Sequence, residues 1–255
     1  MQLTEREQGA FFVEGFVVRP GVFSAAEVVE IRSAFVRLEA MARRLECTGH
    51  YRGALFVLGS TAVAGAAGAR RIDRIVWCGA AEPKLSEFGQ DPRLVGPAAQ
   101  LLGSREMSQL INQAHFKLPG DGVEFPWHQD STHRRYGQGC WTDVNGRGSY
   151  VQTVVAVDDM TEQNGPLQFI PGSCRLGHLE LAEGQLPPAG ADPAQAVTLT
   201  LPAGGVAFFG PYTFHRSLPN SSSSPRRLFV NGFAYPGANT RVYPGEGAGR
   251  LVRAR

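Results

Sequence analysis

The sequence predicts a mainly β protein with flanking helices, built on a double-stranded β-helix core of the jelly-roll, cupin-like type. Its 255 residues include 31 Gly and 17 Pro, so turns recur at short intervals and a helical bundle is disfavoured. From Met107 onward, polar and apolar residues alternate with a period of two, as they do in strands with one buried face. Short strands separated by Gly and Pro turns are typical of jelly rolls.

Length and composition predict a single domain over residues 1–255. No repeat, low-complexity linker or block of like charge divides the chain. Sandwiches and barrels of this length commonly form one unit. Residues 1–105 are expected to supply N-terminal helices and supporting strands, and residues 106–240 the jelly-roll core that carries the functional site.

The N-terminal part opens with two capping boxes. Thr4 with Glu7 predicts the start of a short helix that ends at Gly15, and Ser24 with Glu27 predicts the start of a longer one. The longer helix has one apolar stripe, at spacings of three and four residues, that is expected to pack on a sheet. Its members are Val28, Ile31, Phe35, Leu38, Ala42 and Leu45.

The other elements are predicted from local pattern. Residues 47–90 show little pattern apart from a strand at 70–77, and a helix is expected from Asp91 to Gly103. Gln113, His115 and Lys117 share one face of a further strand. More strands are expected at 16–19, 123–130, 150–158, 167–170, 197–201, 206–209 and 228–235.

Charge and composition disfavour several classes of protein. A formal net charge of +2 gives no general affinity for nucleic acid or an anionic membrane. The N-terminus shows no secretory signal, and the Gly- and Ala-rich uncharged run at residues 53–69 is shorter than the ~20 apolar residues of a membrane helix. Four scattered cysteines without a C-x-x-C motif indicate free thiols in a reducing compartment, so a cytoplasmic protein is expected. The oligomeric state stays open.

The stretch Trp127-His128-Gln129-Asp130 carries the main functional signal. His128 and Asp130 are two residues apart, the smallest separation that places two side chains on one face of an extended chain. Two histidines and one carboxylate form the facial triad of non-haem iron(II) oxygenases. His215, 85 residues after Asp130, is the candidate third ligand. The histidines that compete for this role are His50, His115, His133 and His178.

Motifs around and beyond this stretch extend the signal. In chain order they are Trp127-His128-Gln129-Asp130, Asp158-Asp159-Met160, Asn164-Gly165-Pro166-Leu167, Pro171-Gly172-Ser173, and His215-Arg216-Ser217 with Asn220 and Arg226. In this order and spacing the chain resembles the phytanoyl-CoA dioxygenase family of iron(II)- and 2-oxoglutarate-dependent oxygenases. Two positions depart from the family pattern: Cys174 stands where a histidine is usual, and Arg216 where a small residue is common.

The resemblance implies a set of cofactors and ligands. His128, Asp130 and His215 fall on the iron ligands, Arg226 on the arginine that binds the distal carboxylate of 2-oxoglutarate, and Ser217 on an assisting hydroxyl. An arginine suits this task because its fork forms two parallel hydrogen bonds to a carboxylate. Iron(II), 2-oxoglutarate and O2 are therefore the expected cofactors.

A second group of residues is assigned on weaker grounds. Gln113 and Trp141 are predicted to line the cosubstrate pocket. The predicted substrate-binding residues are Arg134, Arg135, Tyr136 and Gln152. For each of them, ordinary packing or a solvated loop position remains an alternative. Because neighbouring side chains of an extended segment point opposite ways, only one of the two adjacent arginines is expected to face the pocket.

Together these features predict an oxygenase that hydroxylates, or otherwise oxidises, an unactivated C–H bond of a small molecule. An anionic or natural-product substrate is favoured by the adjacent arginines. In the family, halogenation requires a small residue in place of the carboxylate ligand, so Asp130 favours hydroxylation. Two other functions stay open: a cupin-like metal-dependent isomerase or hydrolase, and a non-catalytic small-molecule-binding protein.

Overall fold

The computed structural model describes residues 2–60, 70–182, 185–243 and 249–254. The helices are α1 (Glu5–Glu14), α2 (Ala25–Ala42), α3 (Cys78–Ala81), α4 (Pro83–Gly89), α5 (Pro92–Leu102) and α6 (Asp130–His133), with 3-10 turns at Ser173–Leu176 and Pro193–Gln195. The first strands are β1 (Phe16–Arg19), β2 (Gly49–Tyr51), β3 (Ala54–Ser60), β4 (Arg70–Val76), β5 (Glu106–Lys117), β6 (Phe125–His128) and β7 (Tyr150–Ala156). The later ones are β8 (Leu167–Phe169), β9 (Val197–Thr198), β10 (Val206–Phe209), β11 (His215–Ser217), β12 (Arg226–Ala234) and β13 (Arg250–Arg253).

The strands form two antiparallel sheets. The larger has the order β1-β10-β7-β12-β5-β4-β3-β2, with β13 also paired to β5, and the smaller has the order β6-β11-β8-β9. Two neighbouring strands of the larger sheet are often far apart in the chain, as β12 and β5 are, so long connections place distant parts of the sequence side by side. Strands from the first 105 residues therefore complete the sheet that the later residues begin.

Local signals set the N-terminal elements. The Thr4 side chain accepts a hydrogen bond from the Glu7 amide, and Gly15 ends α1 in the left-handed region at φ 91°. A Cβ on Gly15 would lie 2.4 Å from the Thr213 hydroxyl oxygen, so the glycine also permits close packing against the segment before β11. The predicted stripe of α2 is buried from Val28 to Ala42, whereas Leu45 lies beyond the helix end.

Two regions differ from the sequence prediction. Residues 47–90 contain β2, β3, α3 and α4 as well as the predicted strand. These elements are short, so periodicity over a window of 11 or more residues does not detect them. Strand β6 ends at His128, and Asp130 begins α6. Of the uncharged run at 53–69, residues 61–69 lie outside the described residues. None of the helices within the described ranges is long and apolar enough to cross a bilayer.

The hydrophobic core has two main parts on opposite faces of the larger sheet. One packs the helices against the outer face through residues such as Ile31, Phe35 and Leu38 of α2. The other lies between the two sheets and includes Phe169 of the smaller sheet and Phe209 of the larger. The inner face of the larger sheet is therefore covered by the smaller sheet. The polar residues on this inner face line a cavity between the two sheets.

A buried ion pair joins β12 to the segment after β7. The Asp158 carboxylate accepts hydrogen bonds from Arg227 Nε at 2.8 Å, Nη2 at 2.8 Å and the backbone amide at 3.0 Å. Arg32 of α2 also donates to this carboxylate, from Nε to Oδ1 at 3.1 Å. The aspartate thus ties the helix layer to the sheet.

We expect Asp158→Asn to lower the free energy of unfolding by about 3–5 kcal/mol, since it leaves the buried Arg227 guanidinium without its counter-charge. Urea unfolding followed by circular dichroism measures this loss. Asp159→Asn is the matched control: Asp159 is exposed and its Oδ1 accepts one amide hydrogen bond, from Ala203, which an asparagine oxygen can also accept. Equal stability losses in the two variants would contradict the structural role of the pair.

Candidate active site

His128 and His215 lie directly opposite each other on paired strands. Strands β6 and β11 pair antiparallel with these two residues in register, and their ring centroids are 4.2 Å apart. Each ring contacts a backbone oxygen through Nδ1: His128 the oxygen of Pro126 at 2.7 Å, and His215 that of Thr213 at 2.9 Å. Both contacts leave Nε2 free, the arrangement in which a histidine binds a metal while its other nitrogen holds the ring in place.

Asp130 completes the cluster from the first turn of α6. Between it and His128 the chain stays extended at Gln129, so the two side chains face the same way although the strand has ended. The Gln129 amide is buried and binds the backbone oxygens of Gly177 and Tyr212 at 2.8 and 2.7 Å. Gln129 therefore anchors the turn that presents the pair.

The three side chains fit a single metal ion. One ligand atom from each of His128, Asp130 and His215 lies within 4.8 Å of the others. Asp130 Oδ2 is buried and has no hydrogen-bond partner among the described residues, although burying an unpaired carboxylate oxygen is costly. A cation bound between the imidazoles supplies the missing partner. In the described part of the chain this is the one such group of His, Cys, Asp and Glu side chains.

Burial sets the ionisation of the cluster. It lowers the pKa of His215 to about 3, with His128 close by acting in the same direction, so this imidazole is neutral at pH 7. Burial alone acts to raise the pKa of Asp130, but the surrounding histidines and Arg134 outweigh it and the pKa lies below its ordinary value. A neutral imidazole and an ionised carboxylate are the forms that bind divalent metals.

The cluster opens into a cavity of about 350 Å³ on the inner face of the larger sheet. Arg226 of β12 and Ser217 of β11 line it together with the three predicted ligands. Arg226 is 2% exposed, donates from Nε to the Gly165 oxygen at 3.0 Å, and has no carboxylate of the described residues within ion-pair distance. Burial lowers its pKa to about 9, so it remains cationic at neutral pH.

Lys117 lies beside Arg226 in the register of β5 and β12. Its ammonium donates to the backbone oxygens of Ser217, at 3.1 Å, and of Leu218. Burial and the neighbouring Arg226 lower the pKa of Lys117 to about 6. An arginine and a lysine thus lie together at one end of the cavity without an acidic partner, which is the charge arrangement expected of a carboxylate subsite.

The sequence profile of the phytanoyl-CoA dioxygenase family (PhyH) matches residues 11–228. The match covers most of the chain and includes the three clustered side chains and Arg226. The chain belongs to this family. Membership confirms the predicted enzyme class, a 2-oxoglutarate-dependent dioxygenase, whose cofactors are iron, 2-oxoglutarate and O2.

Individual relatives agree with the family assignment. The ectoine dioxygenase of Bordetella bronchiseptica is 30% identical over 237 residues, which cover 84% of this chain and 69% of that protein. The L-proline trans-4-hydroxylase of Streptomyces griseoviridis is 37% identical over 95 residues, which cover 35% of this chain and only 31% of that protein. The crystal structure of the epimerase SnoN with Fe3+, alpha ketoglutarate and nogalamycin RO superposes with a TM-score of 0.68 at 22% identity, over 90% of this chain and 82% of that one. The fold, a jelly roll with flanking helices, is as predicted.

In this PhyH family member the weaker predictions divide into two groups. Gln113, Gln152 and Arg134 line the cavity with the metal cluster. Trp141, Tyr136 and Arg135 are absent from its lining.

Local packing explains the second group. The Tyr136 and Trp141 rings stack at 4.6 Å, and both side chains donate to the backbone oxygen of Gly148. These contacts hold the loop in place and leave neither side chain directed at a ligand. Arg135 is exposed at φ 58°, so of the two adjacent arginines only Arg134 reaches the cavity. The structure therefore gives no support to cosubstrate contact by Trp141, or to substrate contact by Tyr136 and Arg135.

The competing histidines occupy other positions. His50 is exposed on β2, and His178 contacts the Ser131 hydroxyl at 2.8 Å. His115 contacts Gln113 at 2.8 Å. His133 lines the cavity with its ring 4.9 Å from that of His128, but it is not part of the metal cluster.

Sequence analysis missed three polar residues that line the cavity: Arg74, Arg241 and Tyr243. Arg74 lies on a predicted strand with a charged face, but the sequence does not show which neighbour that face meets. Arg241 and Tyr243 follow the last predicted strand, where no periodic pattern remains.

Proposed function

We propose that this protein hydroxylates an aliphatic C–H bond of a small molecule, with iron(II), 2-oxoglutarate and O2. One observation carries the proposal: the His128, Asp130 and His215 cluster opens into the same cavity as Arg226, a buried arginine without an acidic partner among the described residues. The name of the L-proline trans-4-hydroxylase relative supports hydroxylation, and that of the ectoine dioxygenase relative supports oxygenation of a small molecule. We further propose one domain over the whole chain and a cytoplasmic location; the four free thiols support the location.

In this proposal three side chains hold the metal. His128 and His215 bind through Nε2, since Nδ1 of each ring contacts a backbone oxygen, and Asp130 binds through the carboxylate oxygen that otherwise has no partner. The facial arrangement leaves coordination positions for cosubstrate and oxygen. The bound metal and cosubstrate supply the oxidising chemistry, and the chain supplies orientation and a cavity that limits access of water.

The cosubstrate subsite is proposed at the Arg226 end of the cavity. Arg226 binds the distal carboxylate of 2-oxoglutarate, with the neighbouring Lys117 amine and the buried Ser217 hydroxyl each offering a further hydrogen bond. Gln113 lies on β5, four residues before Lys117, and pairs with Val230 of β12. Arg226 also argues against a cupin-like isomerase or hydrolase, because neither has a use for a buried arginine facing its metal.

The test is formation of succinate from 2-oxoglutarate by the purified protein with added iron(II) and ascorbate. We expect succinate to form slowly without substrate and faster once a substrate is present. A protein that binds the metal but neither binds nor consumes 2-oxoglutarate would be an isomerase, a hydrolase or a binding protein instead. Nickel(II) in place of iron(II) is the control, since it occupies nitrogen and oxygen ligands without supporting the oxidation.

A further inference from the structure

The cavity wall carries far more positive than negative charge. Among its described lining residues the one acidic side chain is Asp130. Its cationic side chains are Arg74, Lys117, Arg134, Arg216, Arg226 and Arg241. Buried charges without counter-ions are costly, so such an excess indicates that bound anions are part of the functional state.

The proposed cofactors balance only some of these charges. Asp130 and one carboxylate of 2-oxoglutarate offset a divalent metal, and the other carboxylate offsets Arg226. Lys117, with its pKa of about 6, is mostly uncharged at neutral pH. Arg216 stacks on Trp127 at 4.7 Å and donates to Gln168 at 2.7 Å, an arrangement that explains its position without a ligand. Three arginines are left: Arg74, Arg134 and Arg241.

The Arg134 side chain is buried and held in a fixed position that suits the binding of an anion. It is 8% exposed, and its Nε is buried without a hydrogen-bond partner among the described residues. Aromatic rings hold the guanidinium in place, those of Tyr150 at 5.3 Å and Tyr243 at 5.5 Å, and the Tyr243 hydroxyl lies 3.3 Å from Nη1. A side chain fixed in this way loses little freedom when it binds a ligand.

The register of the larger sheet separates Arg134 from the cosubstrate subsite. Tyr150, beneath the Arg134 guanidinium, lies opposite Ala234 at the last position of β12, whereas Arg226 is the first. Eight residues of strand span about 26 Å at 3.3 Å each. The two arginines therefore belong to opposite ends of the inner face, and Arg134 is free to serve a second ligand.

Arg74 and Arg241 are the other two arginines. Arg241 shares the Tyr243 ring with Arg134, whereas the backbone of Arg74 lies at the register of Leu228, two residues from Arg226. Arg74 lies on β4 opposite His115, and no acidic side chain of the described residues is within ion-pair distance of it. Burial lowers the pKa of Arg74. The neighbouring Asp73 acts to raise it, while the charge of Arg134 acts in the same direction as burial because the two guanidinium groups repel each other. Arg241 donates to the His133 oxygen at 2.8 Å and covers the Tyr243 ring at 5.0 Å. An anion between the arginines relieves the repulsion.

We propose that the substrate is an aliphatic carboxylic acid, whose carboxylate binds between Arg134 and Arg74. The inference rests on the proposed function. Arg241 lies at the border of this subsite, over the ring of Tyr243. Apolar side chains, including Ile111, Val154 and Val230, line the cavity as well and contact the aliphatic part of the acid, where the C–H bond is oxidised.

The test uses aliphatic carboxylic acids, L-proline among them, each beside its primary amide. Binding to the protein with nickel(II) and 2-oxoglutarate is measured by calorimetry, and stimulated succinate formation is measured with iron(II). We expect at least one acid to bind and to stimulate succinate formation, and its amide to do neither. Stimulation by amides as strong as by acids, or no response to any acid while 2-oxoglutarate still binds, would overturn the inference. Failure to bind 2-oxoglutarate would instead contradict the proposed function.

Variants locate the subsite. For Arg134→Met and Arg74→Met we expect the Kd of the responding acid to rise at least about 30-fold, since each leaves a buried carboxylate poorly paired. Arg134→Lys keeps the charge and is expected to recover part of the affinity, which separates loss of the contact from loss of the fold. Arg135→Met, its exposed neighbour, is expected to keep the wild-type Kd. Equal Kd values in Arg134→Met, Arg74→Met and Arg135→Met would place the carboxylate elsewhere.

Discussion

Replacement of His215 by alanine is expected to remove metal binding and with it the formation of succinate. His215 is one of the three proposed ligands, it is 5% exposed, and the described cluster contains no fourth side chain to replace it. Loss of partners that merely orient a ligand costs about 10–100-fold in metal affinity, so loss of the ligand itself should cost more than about 100-fold. Metal content after dialysis and the rate of succinate formation measure the effect.

The control for His215→Ala is His50→Ala, which removes an exposed imidazole from β2. Circular dichroism should show the same secondary structure for both variants and the wild type. If His215→Ala retained the metal affinity and activity of His50→Ala, another residue would be the third ligand. His133 would then be the first to examine, because its ring is 4.9 Å from that of His128.

Replacement of Arg226 by lysine is expected to weaken binding of 2-oxoglutarate by about 2–5 kcal/mol, or roughly 30- to 4,000-fold in Kd. Lysine keeps a positive charge but loses the planar fork that binds a carboxylate through two hydrogen bonds. Titration of the nickel(II)-loaded protein with 2-oxoglutarate measures the Kd, and a separate titration with the metal alone should be unchanged.

Arg227→Lys is the matched control for Arg226→Lys. The two arginines are adjacent on β12 and face opposite ways: Arg226 lines the cavity, and Arg227 pairs with Asp158 on the other side of the sheet. Arg227→Lys should lower the unfolding temperature and leave the affinity for 2-oxoglutarate nearly unchanged. The reverse pattern, a cosubstrate effect at Arg227 and none at Arg226, would contradict the proposed subsite.

Patterns of short range were enough to predict several elements of this protein. Helices α1 and α2 begin where they do because the N-cap side chains of Thr4 and Ser24 bond to a backbone amide three residues on, without help from the rest of the chain. The spacing of His128 and Asp130 likewise sets their common direction, since alternation is a property of the extended backbone alone. Family motifs then connected this pair to His215 and Arg226, and the structure brings the two histidines together.

Only the tertiary structure decided which polar side chains share the cavity. Trp141 and Arg134 lie in the same loop, yet one packs on Tyr136 and the other reaches the cavity. Arg74 joins Arg134 there because β4 is paired to β5, a choice made between segments far apart in the chain. Strand pairing of this kind depends on the surfaces that fold against each other, and a local sequence window contains only one of them. Sequence by itself therefore determined the family and predicted the three candidate metal ligands, whereas the arginines of the proposed substrate subsite follow from long-range packing.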